Sequence, residues 1–326
     1  MPDFILNLQL INEKKQLMKN QPGIAKMIRA HFLSSIIAPI ILGTLLAVDL
    51  NGGLELLNFI IVLIVGIGLH VATNVYNDIY DTIQGTDKVN VHRNESSGGS
   101  GVLLDNPELM GKMYMLARLG LIIALAGTIA LMPLIDKTLW PYLWGLYLLS
   151  AFFSKYYTAP PFKLAYRGWG EVSVWFAFGP MAIMIAVVSQ NLGLHPLVWL
   201  LMPATGLSTS SILLAGQMID LDADRAGGKH GVASRMGTRF TSVLYLLVQA
   251  GIIANVILLF IFFPGNSWIF LFALIPYIFI FPKAAGIIFK NHDNPDMIKQ
   301  GAKLTVLIHL AFSVLLIIGF VIYIFI

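Results

Sequence analysis

The chain is divided into nine apolar stretches, each about as long as a bilayer is thick, near residues 30–50, 54–77, 113–133, 139–155, 171–190, 197–219, 240–262, 267–288 and 302–326. A helix needs roughly 20 mostly apolar residues to cross hydrocarbon. In lipid the backbone can satisfy its own polar groups only as helices or a closed barrel, and runs of this length select the helix. The composition agrees: 57% of residues are hydrophobic and 12% charged, where a soluble domain carries about 25% charged. The expected fold is therefore an all-α integral membrane protein, with nine transmembrane helices around a central cavity. One domain is expected over 30–326, behind an N-terminal segment 1–29. Lys14, Lys15, Lys19 and Lys26 break that segment too often for a signal-peptide core. Its spaced Ile5, Leu8 and Ile11 fit either a short helix lying on the membrane surface or a loose tail.

Charge sets the orientation. Threading nine helices with the N-terminus in the cytoplasm places every one of the 21 Lys and Arg residues except Lys137 on the inner side, as the positive-inside rule expects. The net charge of +4 then reflects topology and gives no support for nucleic-acid binding. With no cysteine, the chain has no disulfide framework, thiolate metal site or cysteine nucleophile. Outer connections at 49–53, 134–138 and 263–266 are short, while inner ones at 78–112, 156–170 and 220–239 are longer and hold nearly all the polar chemistry. The chemistry is thus expected on the cytoplasmic side of the cell (plasma) membrane.

Two acidic clusters stand where apolar stretches end. The first reads Asn74-Val-Tyr-Asn77-Asp78-Ile-Tyr-Asp81, then Gly85-Thr-Asp87, and the second Gln217-Met-Ile-Asp220-Leu-Asp222-Ala-Asp224-Arg225. Carboxylates at the edge of hydrocarbon are costly and call for a function. At about 100° per residue, Asn74, Asp78 and Asp81 share one helix face. Continued helically, Gln217, Asp220 and Asp224 do the same while Asp222 points away. Oxygen donors without histidine or cysteine suit Mg²⁺, and two such stripes would hold metal ions bridging a diphosphate. Lys88, Arg93, Lys163, Arg167, Arg225 and Lys229 lie nearby in sequence, as phosphate partners or as plain markers of the inner face. Ser97-Gly98-Gly99-Ser100-Gly101 is either a backbone cradle for phosphate or a flexible connector. Tyr156-Tyr157-Thr-Ala-Pro160-Pro161-Phe162-Lys163 either walls an aromatic pocket or belongs to an interfacial aromatic belt. Helices 2 and 6 repeat one pattern, an apolar helix followed by acids and a basic, Gly-bearing loop.

These residues resemble a known family. Asn77-Asp78-x-x-Asp81 with Asp220-x-x-x-Asp224 is similar to the paired motifs of the UbiA superfamily of intramembrane prenyltransferases, and the likeness runs from Arg29, Pro39 and Gly43 onward. Gly85-x-Asp87, Ser97-Gly98-Gly99-Ser100, Tyr157-Thr158-x-Pro160-Pro161, Gly168-x-Gly170-Glu171 and Asp224-Arg225-Ala-Gly-Gly228-Lys229 resemble its 1,4-dihydroxy-2-naphthoate polyprenyltransferase branch, of menaquinone biosynthesis. The branch commonly has Asn and Arg shortly before the second motif, where this chain has Gln217 and Ile219, and Ile219 removes a positive charge.

The resemblance implies a polyprenyl diphosphate donor and an aromatic acceptor. Asp78, Asp81, Asp220 and Asp224 would act as catalytic Mg²⁺ ligands. Asn74, Asn77, Arg93, Lys163, Arg225, Lys229, Tyr157 and Gln217 would bind substrate, with no role given to Asp87 or Asp222. The apolar bundle, facing the lipid bilayer outside, would house the prenyl tail. Rival readings are another acceptor, either a different quinone head group or a glyceryl phosphate, and a cation transporter. Membrane CDP-alcohol phosphotransferases want Gly after Asp-x-x-Asp, where this chain has Thr82.

Overall fold

The computed structural model describes residues 22–94 and 97–326; the helix or tail expected over the first 21 residues lies outside them. The main elements are Ser34–Asn51 (α1), Leu56–Gln84 (α2), Met110–Leu131 (α3), Trp140–Tyr156 (α4) and Gly170–Ser189 (α5). There follow Pro196–Ile219 (α6), Leu221–Ala226 (α7), Val232–Phe262 (α8), Ser267–Phe279 (α9), Phe281–Lys290 (α10) and Pro295–Phe325 (α11). Among the described residues there is no strand, only an isolated Asn94–Ser97 bridge. Among the described residues seven helices are long and apolar enough to cross a membrane, and α9 with α10, bent by 45°, makes an eighth if the pair is one span. A helix forms at all nine expected places, but α4 has only 17 residues, so the helices of spanning length number seven or eight.

Two helix ends and one break decide where the polar residues fall, each for a local reason. Helix α2 runs seven residues past residue 77, through both acids of its motif, and stops where Gly85 takes a left-handed φ of 87°. Helix α6 stops at Ile219; Asp220 turns the chain (φ −89°, ψ 7°) and α7 begins. Gln217, Asp220 and Asp224 therefore do not lie on one continuous helix as expected. In α8 the backbone breaks at Gly237 (φ 80°, ψ 165°), which separates a short first segment from the long apolar one.

Two of the apolar cores build the body of the bundle. Ile40, Val65, Ala124, Leu143 and Ile185 join α1–α5, while Val198, Ile252, Phe270, Phe312 and Leu316 join α6, α8, α9 and α11. Helices α1 and α5 also enter the second core, through Leu42, Leu46, Ile183 and Val187. Between α2 and α3 the backbones nearly touch: a Cβ on Gly68 would stand 2.7 Å from the Gly120 carbonyl, and one on Gly120 would stand 2.5 Å from the Gly68 carbonyl. Such small-residue contacts replace the hydrophobic drive that lipid does not supply between helices. Outward-facing Ile64, Ile122, Leu148, Leu247 and Ile318 are exposed, an apolar belt suited to lipid. The two acidic helix ends, of α2 and α6, meet at one end of this bundle around a shared cavity.

Candidate active site

The cavity, about 170 Å³, is lined by Asn74, Asn77 and Asp81 of α2, Asp87 and Asn90 beyond it, Gln217 of α6, Asp220 and Asp224 at α7, and Lys229. Their spacing of three or four along α2 brings the first three to one face, and the left-handed Gly85 then folds Asp87 back under it. Lys229 follows Gly228, another left-handed residue (φ 71°), and its N–H closes on the Asp224 carbonyl at 2.7 Å. That turn aims its ammonium at Asp81 Oδ2, 3.0 Å away. Asp81 also accepts from Asn77 Nδ2 at 2.8 Å and from the Tyr166 hydroxyl at 2.7 Å, so both oxygens of this carboxylate are held in place.

Segment Ser97–Ser100 ties the two clusters together. Gly98 and Gly99 have φ of 78° and 71°. A Cβ on Gly99 would stand 2.7 Å from Asp87 Oδ2, and one on Gly98 would stand 2.6 Å from Asn90 Nδ2. The close approach lets the Ser100 N–H bond both Asp78 oxygens at 3.2 Å, while Ser97 and the Gly98 N–H bond Asp220. Asn90 Nδ2 adds a 2.8 Å bond to Asp220 Oδ1. The glycine-rich stretch is thus ordered, and two of its backbone N–H groups point at protein carboxylates.

Asp78 stands one layer behind the cavity wall, 3.8 Å from the Arg29 guanidinium. Arg29, itself in a left-handed conformation (φ 53°), lines the cavity and reaches Asn77 Oδ1 at 3.5 Å. Five carboxylates (Asp78, Asp81, Asp87, Asp220 and Asp224) thus crowd around the cations Arg29, Arg93 and Lys229. Burial, then the neighbouring Asp81 and Asp78, pushes Asp87 up to about 8. Burial likewise pushes Asp224 up to about 7 against the pull of Lys229. It also raises Asp220, against its hydrogen bonds from Asn90, Ser97 and Gly98. For Lys229 burial acts downward, but Asp81 and Asp224 outweigh it and hold the ammonium charged.

The other expected residues divide. Tyr157 and Gln217 line the cavity. The Gln217 amide is committed, its nitrogen to Glu171 Oε1 at 2.7 Å and its oxygen to the Ala233 N–H at 3.3 Å. Lys163 lies over the Tyr166 ring at 5.8 Å and Arg93 donates to the Asp87 carbonyl at 3.4 Å, both outside the cavity wall. Arg225 and Asp222 are exposed, pointing away. Ile219 is buried among apolar residues of α6, α8 and α11, so its side chain is not part of the wall. Of the aromatic stretch, Tyr157 faces inward, while Tyr156 and Phe162 pair outward, 5.2 Å apart. Sequence reasoning left out Arg29, Asp87, Asn90 and Tyr166. Asp87 stood in the same acidic run and its burial was the missing datum; nothing local marks Tyr166, whose role depends on packing across 85 residues.

Among the described residues no three carboxylate or imidazole groups converge at metal-ligand spacing, so this is no all-protein cage. The donor set fits Mg²⁺ of the other kind, bound by one or two carboxylates with waters and phosphate oxygens completing its shell. The surplus of buried carboxylates is consistent with such a cation. A second, apolar cavity of about 80 Å³, lined by Ile36, Leu69, Phe153, Met181 and Ile185, shares His70, Tyr157, Val174 and Phe178 with the first. A polar chamber lined by both acids and cations beside an apolar one, inside a bundle of apolar helices, has the form of a binding site for an amphiphile.

Residues 114–307 match the model of the UbiA prenyltransferase family. The chain belongs to that family and is a transferase of prenyl groups. It is 27% identical to 2-carboxy-1,4-naphthoquinone phytyltransferase of Synechocystis sp., over 87% of this chain and 88% of that one. It is 30% identical to 1,4-dihydroxy-2-naphthoate octaprenyltransferase of Mycobacterium tuberculosis, over 71% of this chain and 76% of that one. Its fold is similar to that of a UbiA homolog from Archaeoglobus fulgidus bound to DMAPP and Mg²⁺, with a TM-score of 0.62 and 13% identity over 90% of this chain and 99% of that one. The apo UbiA homolog of Aeropyrum pernix K1 gives 0.65 and 14%, over 88% and 97%.

Proposed function

We propose that this protein transfers a polyprenyl group from an isoprenyl diphosphate to an aromatic quinone precursor, 1,4-dihydroxy-2-naphthoate, in a Mg²⁺-dependent step of menaquinone biosynthesis at the cytoplasmic face of the cell membrane. The observation that carries it is the Asp81–Lys229 pair, set among Asp87, Asp220 and Asp224 in a cavity that borders an apolar chamber. The names of the Synechocystis and Mycobacterium relatives support the naphthoate acceptor, and the DMAPP and Mg²⁺ held by the Archaeoglobus homolog support the donor and the metal.

On this reading Lys229 and Arg29 face the diphosphate oxygens, with Asn74 and Asn77 beside them. Asp81, Asp220 and Asp224, joined by Asp87, would hold Mg²⁺, with Asp78 behind the wall adding negative charge. When bound, the metal neutralises the diphosphate and makes it a better leaving group. The prenyl tail lies in the apolar chamber, whose walls keep water from the allylic cation left when diphosphate departs. Tyr157, between the chambers, faces the reacting carbon. The ring carbon bearing the carboxylate attacks, and CO₂ is lost.

The test is prenyl transfer by detergent-purified protein with Mg²⁺, a polyprenyl diphosphate and 1,4-dihydroxy-2-naphthoate, products read by mass spectrometry, with Asp81→Asn beside it. A demethylmenaquinol-type product, absent from the variant, is expected. Product only with another aromatic or a glyceryl phosphate acceptor keeps the site and discards the naphthoate. An intact diphosphate with every acceptor would favour the cation-transport reading.

A further inference from the structure

We propose that His70 is a catalytic residue that binds the ring hydroxyl of the aromatic acceptor and takes its proton; this rests on the acceptor reading above. His70 lies on α2, on the face that carries Asn74, Asn77 and Asp81, and all four line the larger cavity. The eleven helical steps from His70 to Asp81 rise about 16 Å, so His70 marks the apolar end of that cavity. It also lines the second chamber, together with Tyr157, Val174 and Phe178. The imidazole therefore stands at the junction, where a donor with its head among the acids and its tail in the apolar chamber presents its reacting carbon.

The ring is buried (4% exposed) and its Nδ1 has no hydrogen-bond partner. A polar atom left unpaired inside a membrane bundle is destabilising unless a ligand satisfies it. A purely structural histidine would bond across helices. The other buried imidazole of the spanning region does so: His309 Nδ1 meets the Ser208 hydroxyl at 2.9 Å and its Nε2 meets Ser35 at 3.4 Å. His70 instead packs against the Phe178 ring, edge to face, centroids 5.1 Å apart. Asn74, anchored through its amide nitrogen to the Ile28 carbonyl at 3.1 Å, is the neighbour that hydrogen-bonds the imidazole. With the proton on Nε2, the unpartnered Nδ1 is the basic nitrogen.

The step balances without an added reagent. The ring carbon bearing the carboxylate bonds to the allylic carbon as diphosphate leaves. The adjacent hydroxyl gives its proton to His70 Nδ1 and becomes a ketone. The carboxylate, now β to that ketone, departs as CO₂; its electron pair returns through the ring to the oxygen, which takes the proton back. The imidazole ends as it began.

The test compares wild type, His70→Gln and His70→Ala in detergent with Mg²⁺ and geranylgeranyl diphosphate. The acceptors are 1,4-dihydroxy-2-naphthoate and the ether in which the hydroxyl beside the carboxylate is methylated. The variants are expected to lose about 100-fold in kcat and to raise the acceptor KM, with the donor KM and the slow release of diphosphate into water within about twofold of wild type. That unchanged donor chemistry also reports that the variants are folded. With the methyl ether, wild type should do no better than the variants. Naphthoate product from wild type and equally from His70→Gln overturns this assignment alone, as does a parallel loss of donor turnover in both variants. No naphthoate product from wild type overturns the acceptor reading and this assignment with it.

Discussion

Lys229 and Arg225 are basic residues four positions apart, yet only one is turned inward, with its ammonium 3.0 Å from Asp81 while Arg225 is exposed. Lys229→Ala should therefore cut prenyl transfer by about 100-fold or more, since it removes a preorganised charge from a desolvated site. Arg225→Ala should stay within about twofold, because an exposed cation is screened by solvent and salt. Steady-state kinetics on the pair checks both. The raised carboxyls set a pH dependence. Asp87 and Asp224, pushed up to about 8 and about 7, bind protons in the folded protein that the unfolded chain, near 4, has released. Their contribution to stability is full below the unfolded value and is lost as pH rises through 7 and 8. Metal-free protein should melt at progressively lower temperature from pH 6 to 9, while the stabilisation by Mg²⁺ grows as the protons leave. Thermal melts with and without Mg²⁺ test this; a stabilisation by Mg²⁺ that does not change with pH would contradict it.

The loop over 97–100 decides whether two helix ends make one site. Its left-handed glycines let the backbone reach Asp78 on one side and Asp220 on the other. Gly99→Ala would place a Cβ 2.7 Å from Asp87 Oδ2 and force alanine into a conformation that costs about 1–2 kcal/mol. Loss of prenyl transfer with a lowered melting temperature is expected. Gly145→Ala, on α4 with open space around it, should leave activity intact and raise helix stability by up to about 1 kcal/mol. Differential scanning of both variants separates the two effects. At this scale the sequence reading was partial: periodicity located the helices, but not where each helix stops. Gly85 and Asp220 end helices and Gly237 breaks one through local φ and ψ values that hydrophobic periodicity does not report, and the first two turns re-aim Asp87 and Asp224.

As a whole the molecule is held by its apolar cores, and the polar site is a guest at one end. Chelation of divalent metal should therefore abolish prenyl transfer and leave the far-UV circular dichroism of the detergent-solubilised protein unchanged, unlike small domains whose folding free energy is metal binding. The integral-membrane class, the all-helical architecture, the two acidic motifs and the family were determined by sequence alone, because hydrophobic length and motif spacing are local properties that survive without neighbours. Which cations enter the site, Lys229 and Arg29 and not Arg225 or Lys163, was decided only by the tertiary structure. So was the burial of Asp87, the capture of Asp78 by Ser100, and the placing of His70 between two chambers. The physical reason is common to all of these. Desolvation and hydrogen-bond geometry depend on which surfaces the packed helices bring together, and residues as distant along the chain as Asp81 and Lys229 meet only once the bundle has closed.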